Sequence, residues 1–246
     1  AYWWKVRVWD GAGQVSAWST PARWRQAVSD WAGARWIAGV VDGDRMPVFR
    51  RSFVIGKPVK LALVSITGLG QYELTLNGRK VGDAVIAPGW TNYRRTVLYN
   101  TFDVTGHLRR GSNEAGVMLG NGMYNVPKTP DRYTKFVGSM GEPKCIALLR
   151  VEYADGTTEN IVTDAKWESA AGPITYSHTY GGEDYDARIR PANWQPAREV
   201  DGPGGELKPE QNPVSKVMET FHAVKVTQPK PGVRVYDLGQ NASAWP

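Results

Sequence analysis

The sequence predicts an all-β protein, a jelly-roll β-sandwich flanked at each end by a partial β-sandwich piece. About nine short strands follow one another without a long amphipathic helix between them, as in sandwiches and jelly rolls. Glycine and proline number 27 and 16 among 246 residues, a composition that supplies many turns. Most of the 11 tryptophans crowd one end of the chain, which indicates more than one architectural unit: Trp3, Trp4, Trp9, Trp18, Trp24, Trp31 and Trp36.

Residues 1–22 are predicted to form the hairpin that ends a fibronectin type III-like domain. Residues 2–9 alternate between two kinds of side chain, the period of a strand with two distinct faces. Residues 10–13 read Asp-Gly-Ala-Gly and supply the turn. The second arm is expected over residues 15–19, ending before Thr20-Pro21.

Residues 23–45 show no clear alternation and are interpreted as a connector, and residues 46–200 as the jelly roll. Asn77-Gly78, between two strand-like runs, is a strong hairpin signal. The strands of the jelly roll are expected at 49–54, 59–67, 71–76, 80–86, 96–102, 113–119, 145–153, 158–163 and 174–180. Residues 201–215, rich in Pro and Gly, are interpreted as a linker, and residues 216–246 as the start of a further β-sandwich domain.

Composition argues against several functions. The formal net charge is +6, but the basic residues are scattered, which disfavours nucleic-acid binding. No apolar run approaches the ~18 residues of a membrane span, so no membrane partner is expected. Neither a nucleophile elbow, nor C-x-x-C, nor H-E-x-x-H occurs, so we expect no catalytic residue and no cofactor in this chain and assign no metal ligands. The lone Cys145 adjoins an apolar stretch and is predicted to be buried.

The loop of residues 88–95 is the first candidate binding segment. It combines the aromatic rings of Trp90 and Tyr93 with the amide of Asn92 and two arginines. A sugar site needs a flat ring against the apolar face of the sugar and planar polar groups for its hydroxyls. The alternative is that Trp90 and Tyr93 close one end of the core.

The segment of residues 119–125 is the second candidate. It follows an apolar strand, so its glycines are expected to shape a loop at the end of a sheet. Asn121 and Tyr124 are candidate sugar ligands there, together with the neighbouring Asn125. The alternative is that these side chains only satisfy nearby backbone groups.

The segment of residues 180–188 is the third candidate, with three carboxylates beside Arg188. These groups could coordinate calcium, bind hydroxyls or form ion pairs. Asp184 and Asp186 on one strand would lie about 7 Å apart, which overlaps the ~6.5–9.5 Å of an inverting glycosidase pair. Such a pair must flank the scissile bond from opposite sides, which neighbours on one strand do badly, so binding by Glu183, Asp186 and Arg188 is favoured over catalysis.

Several motifs together resemble the N-terminal module of bacterial α-L-rhamnosidases, glycoside hydrolase family 78. They read GQYELTLNGRKVGD at 70–83, APGWTNY at 87–93, LGNGMY at 119–124 and GEDYDAR at 182–188. DLGQN at 237–241 is similar to the opening of that family's next β-sandwich. The resemblance covers nearly the whole chain.

The resemblance implies a galactose-binding-like jelly roll within a multidomain inverting enzyme that removes terminal α-L-rhamnose. It implies that the chemistry lies in a downstream (α/α)₆ barrel of the same polypeptide, absent here, and that the jelly roll binds a rhamnose-containing carbohydrate or braces the barrel. A periplasmic or secreted location is expected. The alternatives are a purely structural spacer and a self-contained glycosidase that uses Glu183 and Asp186.

Overall fold

The computed structural model describes residues 2–39 and 43–241. Residues 1 and 40–42, and residues 242–246 at the end of the predicted C-terminal piece, lie outside the described residues. The described residues form 23 strands and one 3-10 turn, Thr105–His107. None of their helices is long and apolar enough to cross a membrane.

The N-terminal half contains strands β1 to β10, at Tyr2–Trp4, Ala22–Trp24, Trp36–Ala38, Pro47–Ile55, Val59–Leu69, Gln71–Leu76, Arg79–Lys80, Ala84–Ile86, Thr96–Asp103 and Gly111–Gly120. Strands β11 to β23 follow at Asn125–Val126, Gly138–Ser139, Lys144–Tyr153, Thr158–Val162, Glu168–Ala171, Ile174–His178, Gly182–Tyr185, Gln195–Pro196, Arg198–Val200, Glu206–Pro209, Ser215–Lys216, Lys225–Lys230 and Val233–Asp237. The chain is all-β, as the sequence predicts.

Two large sheets form the jelly-roll sandwich. The first has six strands in the order β18-β15-β4-β10-β6-β7, and the second has seven, β19-β3-β13-β5-β9-β20 with β14 beside β13. The core between them takes alternate residues of the strands, such as Ala115, Val117 and Leu119 of β10. Cys145 lies in this core as predicted, and burial raises the pKa of its thiol.

The Asn77-Gly78 turn joins β6 to β7 with both residues at positive φ, 53° and 75°, as its sequence predicts. The strand expected at 80–86 is instead divided into β7 and β8. Gly82 lies between them at φ +78°, a conformation that breaks a strand and favours glycine.

Two segments outside the predicted jelly roll contribute strands to it. Strand β3, within the predicted connector, pairs with β13 and β19, and its Ile37 and Ala38 are fully buried. Strand β20, within the predicted linker, runs parallel to β9. Each has three or four residues, too few to show a period in the sequence. Each is held by backbone hydrogen bonds to strands that are distant in sequence.

The N-terminal hairpin differs from its prediction in the second arm. Strand β1 pairs with β2 beyond Pro21, whereas residues 16–19 form no regular strand. Val6 and Val8 donate their backbone N–H groups to the hydroxyls of Ser19 and Ser16, and their carbonyls accept from the backbone N–H groups of the same serines. In these two pairs, serine hydroxyls replace the backbone carbonyls that would accept the valine N–H groups in a regular ladder. The two serines are three residues apart, whereas the two valines are two apart.

Candidate functional site

The loop of residues 88–95 places one of its aromatic rings in solvent and the other in the core. Trp90 is 68% exposed, whereas Tyr93 is buried with its ring edge-to-face against Tyr124, at 5.3 Å between centroids. Burial, and secondarily the neighbouring Tyr124, raises the pKa of Tyr93 to about 12. Asn92 accepts the backbone N–H of Arg94 at 3.2 Å and so shapes the turn. Of these residues, Trp90 is the one that presents its ring to solvent.

Asn121 lies in a different place, in the wall of a cleft of about 230 Å³ that we call the Asn121 cleft. Its Nδ2 donates to the carbonyl of Ser177 at 2.8 Å, and its Oδ1 accepts from Nδ2 of Asn125 at 2.8 Å. The hydroxyl of Ser177 accepts the backbone N–H of Asn121 at 3.0 Å. These bonds fix both amides and the serine at the cleft wall.

The loop can take this position because Gly70 lies against it. A Cβ at Gly70 would come within 2.0 Å of the carbonyl oxygen of Asn121, so only glycine allows the two backbones to approach this closely. Tyr124, from the same loop, is 1% exposed and packs with Leu69, Tyr93 and Val97. Burial, and secondarily Glu142, raises its pKa.

The remaining wall of the Asn121 cleft combines rings and charged groups. Tyr176 lies in it with its hydroxyl buried and without a hydrogen-bond partner. Further lining residues are Asp44, Arg45, Met46, Pro127, Lys128 and Pro143. The cleft therefore offers amide and hydroxyl groups beside apolar carbon, the two surfaces that a sugar presents.

His178 holds the Pro127 wall of this cleft. Its Nδ1 accepts the backbone N–H groups of Tyr180 and Gly181 at 3.0 and 2.8 Å. A nitrogen that accepts two N–H groups carries no proton, so Nε2 is the protonated nitrogen and donates to the carbonyl of Pro127 at 3.0 Å. The histidine thus ties the turn after β16 to the segment that follows β11.

Glu183 lines a second cleft, of about 370 Å³, which we call the Glu183 cleft. Glu73 forms an ion pair with Lys80 at 2.7 Å in the same cleft. Partial burial, and secondarily the negative charge of Glu73, raises the pKa of Glu183. The apolar part of the wall is formed by Val85, Ile86, Met118 and Ile174.

Asp186 and Arg188 lie in neither of these clefts. They form a local pair, with Arg188 Nη2 2.7 Å from Asp186 Oδ2, and the Arg188 side chain is 90% exposed. Hydrogen bonds from Arg188 lower the pKa of Asp186. The structure therefore separates Glu183 from Asp186, although only two residues lie between them in sequence.

The predicted site residues thus fall into five groups. Asn121 lies in one cleft and Glu183 in another, Trp90 and Asn92 lie on an exposed loop, Tyr93 and Tyr124 are in the core, and Asp186 and Arg188 form a surface pair. Sequence reasoning missed Ser177, Tyr176 and Glu73, because nothing near them in sequence marks them as neighbours of Asn121 or Glu183. Within the described ranges, no three His, Cys, Asp or Glu side chains are grouped so that they could hold a metal ion.

Known proteins match this chain in both of its main parts. The model of the α-L-rhamnosidase N-terminal domain family matches residues 57–229. The model of the N-terminal immunoglobulin domain of Rha78A-like proteins matches residues 1–30. An immunoglobulin domain and a fibronectin type III domain are both β-sandwiches, which fits the hairpin predicted there.

Relatives of known name agree with the family match. An α-L-rhamnosidase of Formosa agariphila is 33% identical over 99% of this chain and 30% of its own length. The structure of the enzyme from Dictyoglumus thermophilum matches with a TM-score of 0.78 and 36% identity, over 97% of this chain and 29% of the other. That of the Streptomyces avermitilis α-L-rhamnosidase complexed with L-rhamnose matches with a TM-score of 0.70 and 36% identity, over 80% and 20%. The chain spans between 19% and 30% of the length of the curated relatives it matches.

Proposed function

Because the chain belongs to the α-L-rhamnosidase N-terminal domain family, we propose that it is the non-catalytic N-terminal part of an enzyme that hydrolyses terminal α-L-rhamnose from glycans or glycosides. The observation that carries this proposal is the family match over residues 57–229, in a chain that covers 30% or less of its relatives. The catalytic (α/α)₆ barrel would be another part of the same polypeptide.

The placement of the carboxylates supports a non-catalytic role. A self-contained glycosidase would need Glu183 and Asp186 on opposite sides of one scissile bond. Glu183 lines its own cleft, whereas Asp186 is paired with Arg188 outside it. The alternative enzyme is therefore the weaker proposal.

The Asn121 cleft is the proposed site for a rhamnose-containing carbohydrate. Its volume lies below the range of drug-sized pockets, which suits one sugar residue. Asn125 and Ser177 would bind hydroxyl groups, while the side chains of Met46 and Pro127, which line the cleft, would contact the apolar face and methyl group. Asn121 would hold Asn125 and Ser177 in place through the hydrogen bonds described above.

Calorimetry of the 246-residue chain with L-rhamnose, with D-glucose as the comparison sugar, tests the binding proposal. We expect heat of binding at millimolar L-rhamnose and a weaker signal with glucose. The same protein should not hydrolyse an aryl α-L-rhamnoside. Hydrolysis that a Glu183→Gln substitution abolishes would contradict the non-catalytic role, and absence of heat would contradict the binding role.

Bracing of the barrel is a second candidate, favoured by the C-terminal hairpin of strands β22 and β23. Every residue of both strands is exposed, and the apolar Val224, Val226 and Tyr236 are among the exposed side chains. Exposed apolar patches of this kind mark contact surfaces. Protection of this hairpin from hydrogen exchange in the whole enzyme, together with chemical cross-links from the hairpin to the barrel, would support bracing, and cross-links confined to the hairpin's own sandwich would contradict it.

A further inference from the structure

The N-terminal hairpin has two unlike faces. Residues directly opposite each other in β1 and β2 share a face, which pairs Trp3 with Arg23 and Tyr2 with Trp24. One face, the apolar face, is formed by Tyr2, Trp4, Val6, Val8 and Trp24. The other, the ladder face, is formed by Trp3, Lys5, Arg7, Trp9, Trp18 and Arg23.

Cations and indole rings alternate on the ladder face. The guanidinium of Arg7 lies 4.9 Å from the ring centroid of Trp9 and 4.7 Å from that of Trp18. Lys5 Nζ lies 4.6 Å from the ring of Trp18. Arg23 lies 5.6 Å from the ring of Trp3 at the other end of the face. Contacts within about 6 Å hold a cation against a ring.

The cations of this face are held by rings and not by ion pairs with the described acids. Among the described residues, no carboxylate forms an ion pair with Lys5, Arg7 or Arg23. The one acid of the hairpin, Asp10, accepts the backbone N–H groups of Ala12 and Gln14 at 2.9 and 2.8 Å within the turn. Within the described part of the chain, Lys5, Arg7 and Arg23 thus contact rings and form no ion pair, although Asp103 and Glu210 line a cleft together with Arg23.

The ladder face is also the side that a β-sandwich leaves open to solvent. A sandwich packs the apolar face of each hairpin against its second sheet, and the alternate residues point outward. The apolar face has the composition for such packing, whereas Lys5, Arg7 and Arg23 do not. The exposure of the ladder face is therefore built into the alternation of the sequence.

We propose that the ladder face binds a carboxylated polysaccharide. A guanidinium stacked on rings keeps its N–H groups at its edge, where they match the two oxygens of a carboxylate. Lys5 and Arg7 follow β1 two residues apart, and both contact the ring of Trp18. A row of separated cations fits repeated carboxylates on one chain. The choice of a glycan rests on the proposed function.

The contacts between cations and tryptophan rings also argue against single-stranded nucleic acid as the ligand. Sequence-tolerant binding of bases uses aromatic faces on which the bases stack. On the ladder face the rings of Trp9, Trp18 and Trp3 are in contact with cations. The carboxylate needs only the guanidinium edge and the ammonium group, which remain accessible.

Titration of the 246-residue chain with polygalacturonate, monitored by calorimetry, tests this proposal. We expect binding that weakens at high salt, because exposed charges are screened, and no binding of neutral dextran. The variant Lys5→Gln/Arg23→Gln should bind about tenfold more weakly, because it loses two exposed ion pairs with carboxylates. Arg7→Lys keeps the charge but loses the two-pronged contact, and should bind a few-fold more weakly.

The control variant Arg110→Gln/Lys135→Gln removes the same charge from exposed positions away from the hairpin. It should bind polygalacturonate as the unmodified chain does. Equal weakening in both double variants would show attraction to net charge alone and would overturn the proposal, as would no weakening in either. Binding of single-stranded DNA as tight as that of polygalacturonate would overturn the assignment to a glycan.

The proposed rhamnose site is tested separately in the same samples. Asn121→Ala should abolish rhamnose binding and leave polygalacturonate binding unchanged. Failure of the rhamnose titration with intact polygalacturonate binding therefore contradicts the cleft and not the ladder face. The reverse result contradicts the ladder face and not the cleft.

Discussion

The N-terminal hairpin and the jelly roll use aromatic side chains in opposite ways. In the jelly roll, Tyr93 and Tyr124 are buried against each other, and the polar groups that line the clefts include the amide of Asn121 and the carboxylate of Glu183. In the hairpin, Trp9 and Trp18 are exposed and hold cations in place. The density of aromatic residues therefore does not by itself locate a sugar site. What a ring contacts decides its role.

The largest expected effect is on stability, and it separates the two kinds of ring. Tyr124→Ala should lower the free energy of unfolding by about 3–5 kcal/mol, because it leaves a cavity in the core of the jelly roll. Trp9→Ala, on the exposed hairpin, should lower it by about 1 kcal/mol or less. Chemical denaturation of both variants measures this, and equal losses would contradict the different roles of the core ring of Tyr124 and the surface ring of Trp9.

Asn121→Ala should have the next largest effect. It removes the hydrogen bonds to Ser177 and Asn125 and leaves buried polar groups unpaired, at a cost of about 1–3 kcal/mol. Rhamnose binding should be lost as well. Asn160→Ala, at an exposed position on β14, is the matched control and should change neither property. Rhamnose affinity that survives Asn121→Ala would exclude this cleft as the site.

A double-mutant cycle between Lys5 and Trp18 should give a smaller value. The contact between the ammonium and the ring predicts a coupling free energy of about 0.5–1 kcal/mol at this exposed site. Denaturation of Lys5→Gln, Trp18→Ala and the combined variant, followed by the near-ultraviolet circular dichroism of the tryptophans, measures it. Additive effects would mean that the ladder face is not held together by these contacts.

The smallest effect is expected from Glu183→Gln and depends on pH. Because folding raises the pKa of Glu183, the folded state disfavours its charged form. The carboxyl group therefore lowers the free energy of unfolding as the pH rises through its folded pKa. Below its unfolded pKa of about 4.3 the group is protonated in both states and has no such effect. The variant should therefore be slightly more stable than the parent chain at pH 7 and equal to it at pH 3. Denaturation at both values checks this, and a less stable variant at pH 7 would show that the carboxylate has a favourable partner.

Much of the fold can be predicted from local sequence signals. The Asn77-Gly78 turn and the alternation within Gly111–Gly120 each fix their elements, because neighbouring residues determine both. Strands β3 and β20 escape prediction because distant strands hold them through backbone hydrogen bonds. The arm at 16–19 escapes it because two serine hydroxyls replace backbone carbonyls there.

The candidate sites are less predictable than the fold. Asn121 is singled out by its loop, but Ser177, its principal partner, follows 56 positions later. Glu183 is singled out by its acidic segment, but Glu73 joins it only through folding of β6 beside β10. Which side chains share a cleft depends on how strands that are distant in sequence pair with one another. No local sequence signal indicates that pairing.

We propose that the jelly-roll cleft, and not the aromatic hairpin, recognises rhamnose. Nuclear magnetic resonance of the side-chain amide and indole N–H groups during an L-rhamnose titration distinguishes the two sites. We predict that the amide signals of Asn121 and Asn125 shift with rhamnose, while the indole signals of Trp3, Trp9 and Trp18 do not. Shifted hairpin indoles with unmoved signals from Asn121 and Asn125 would contradict the account.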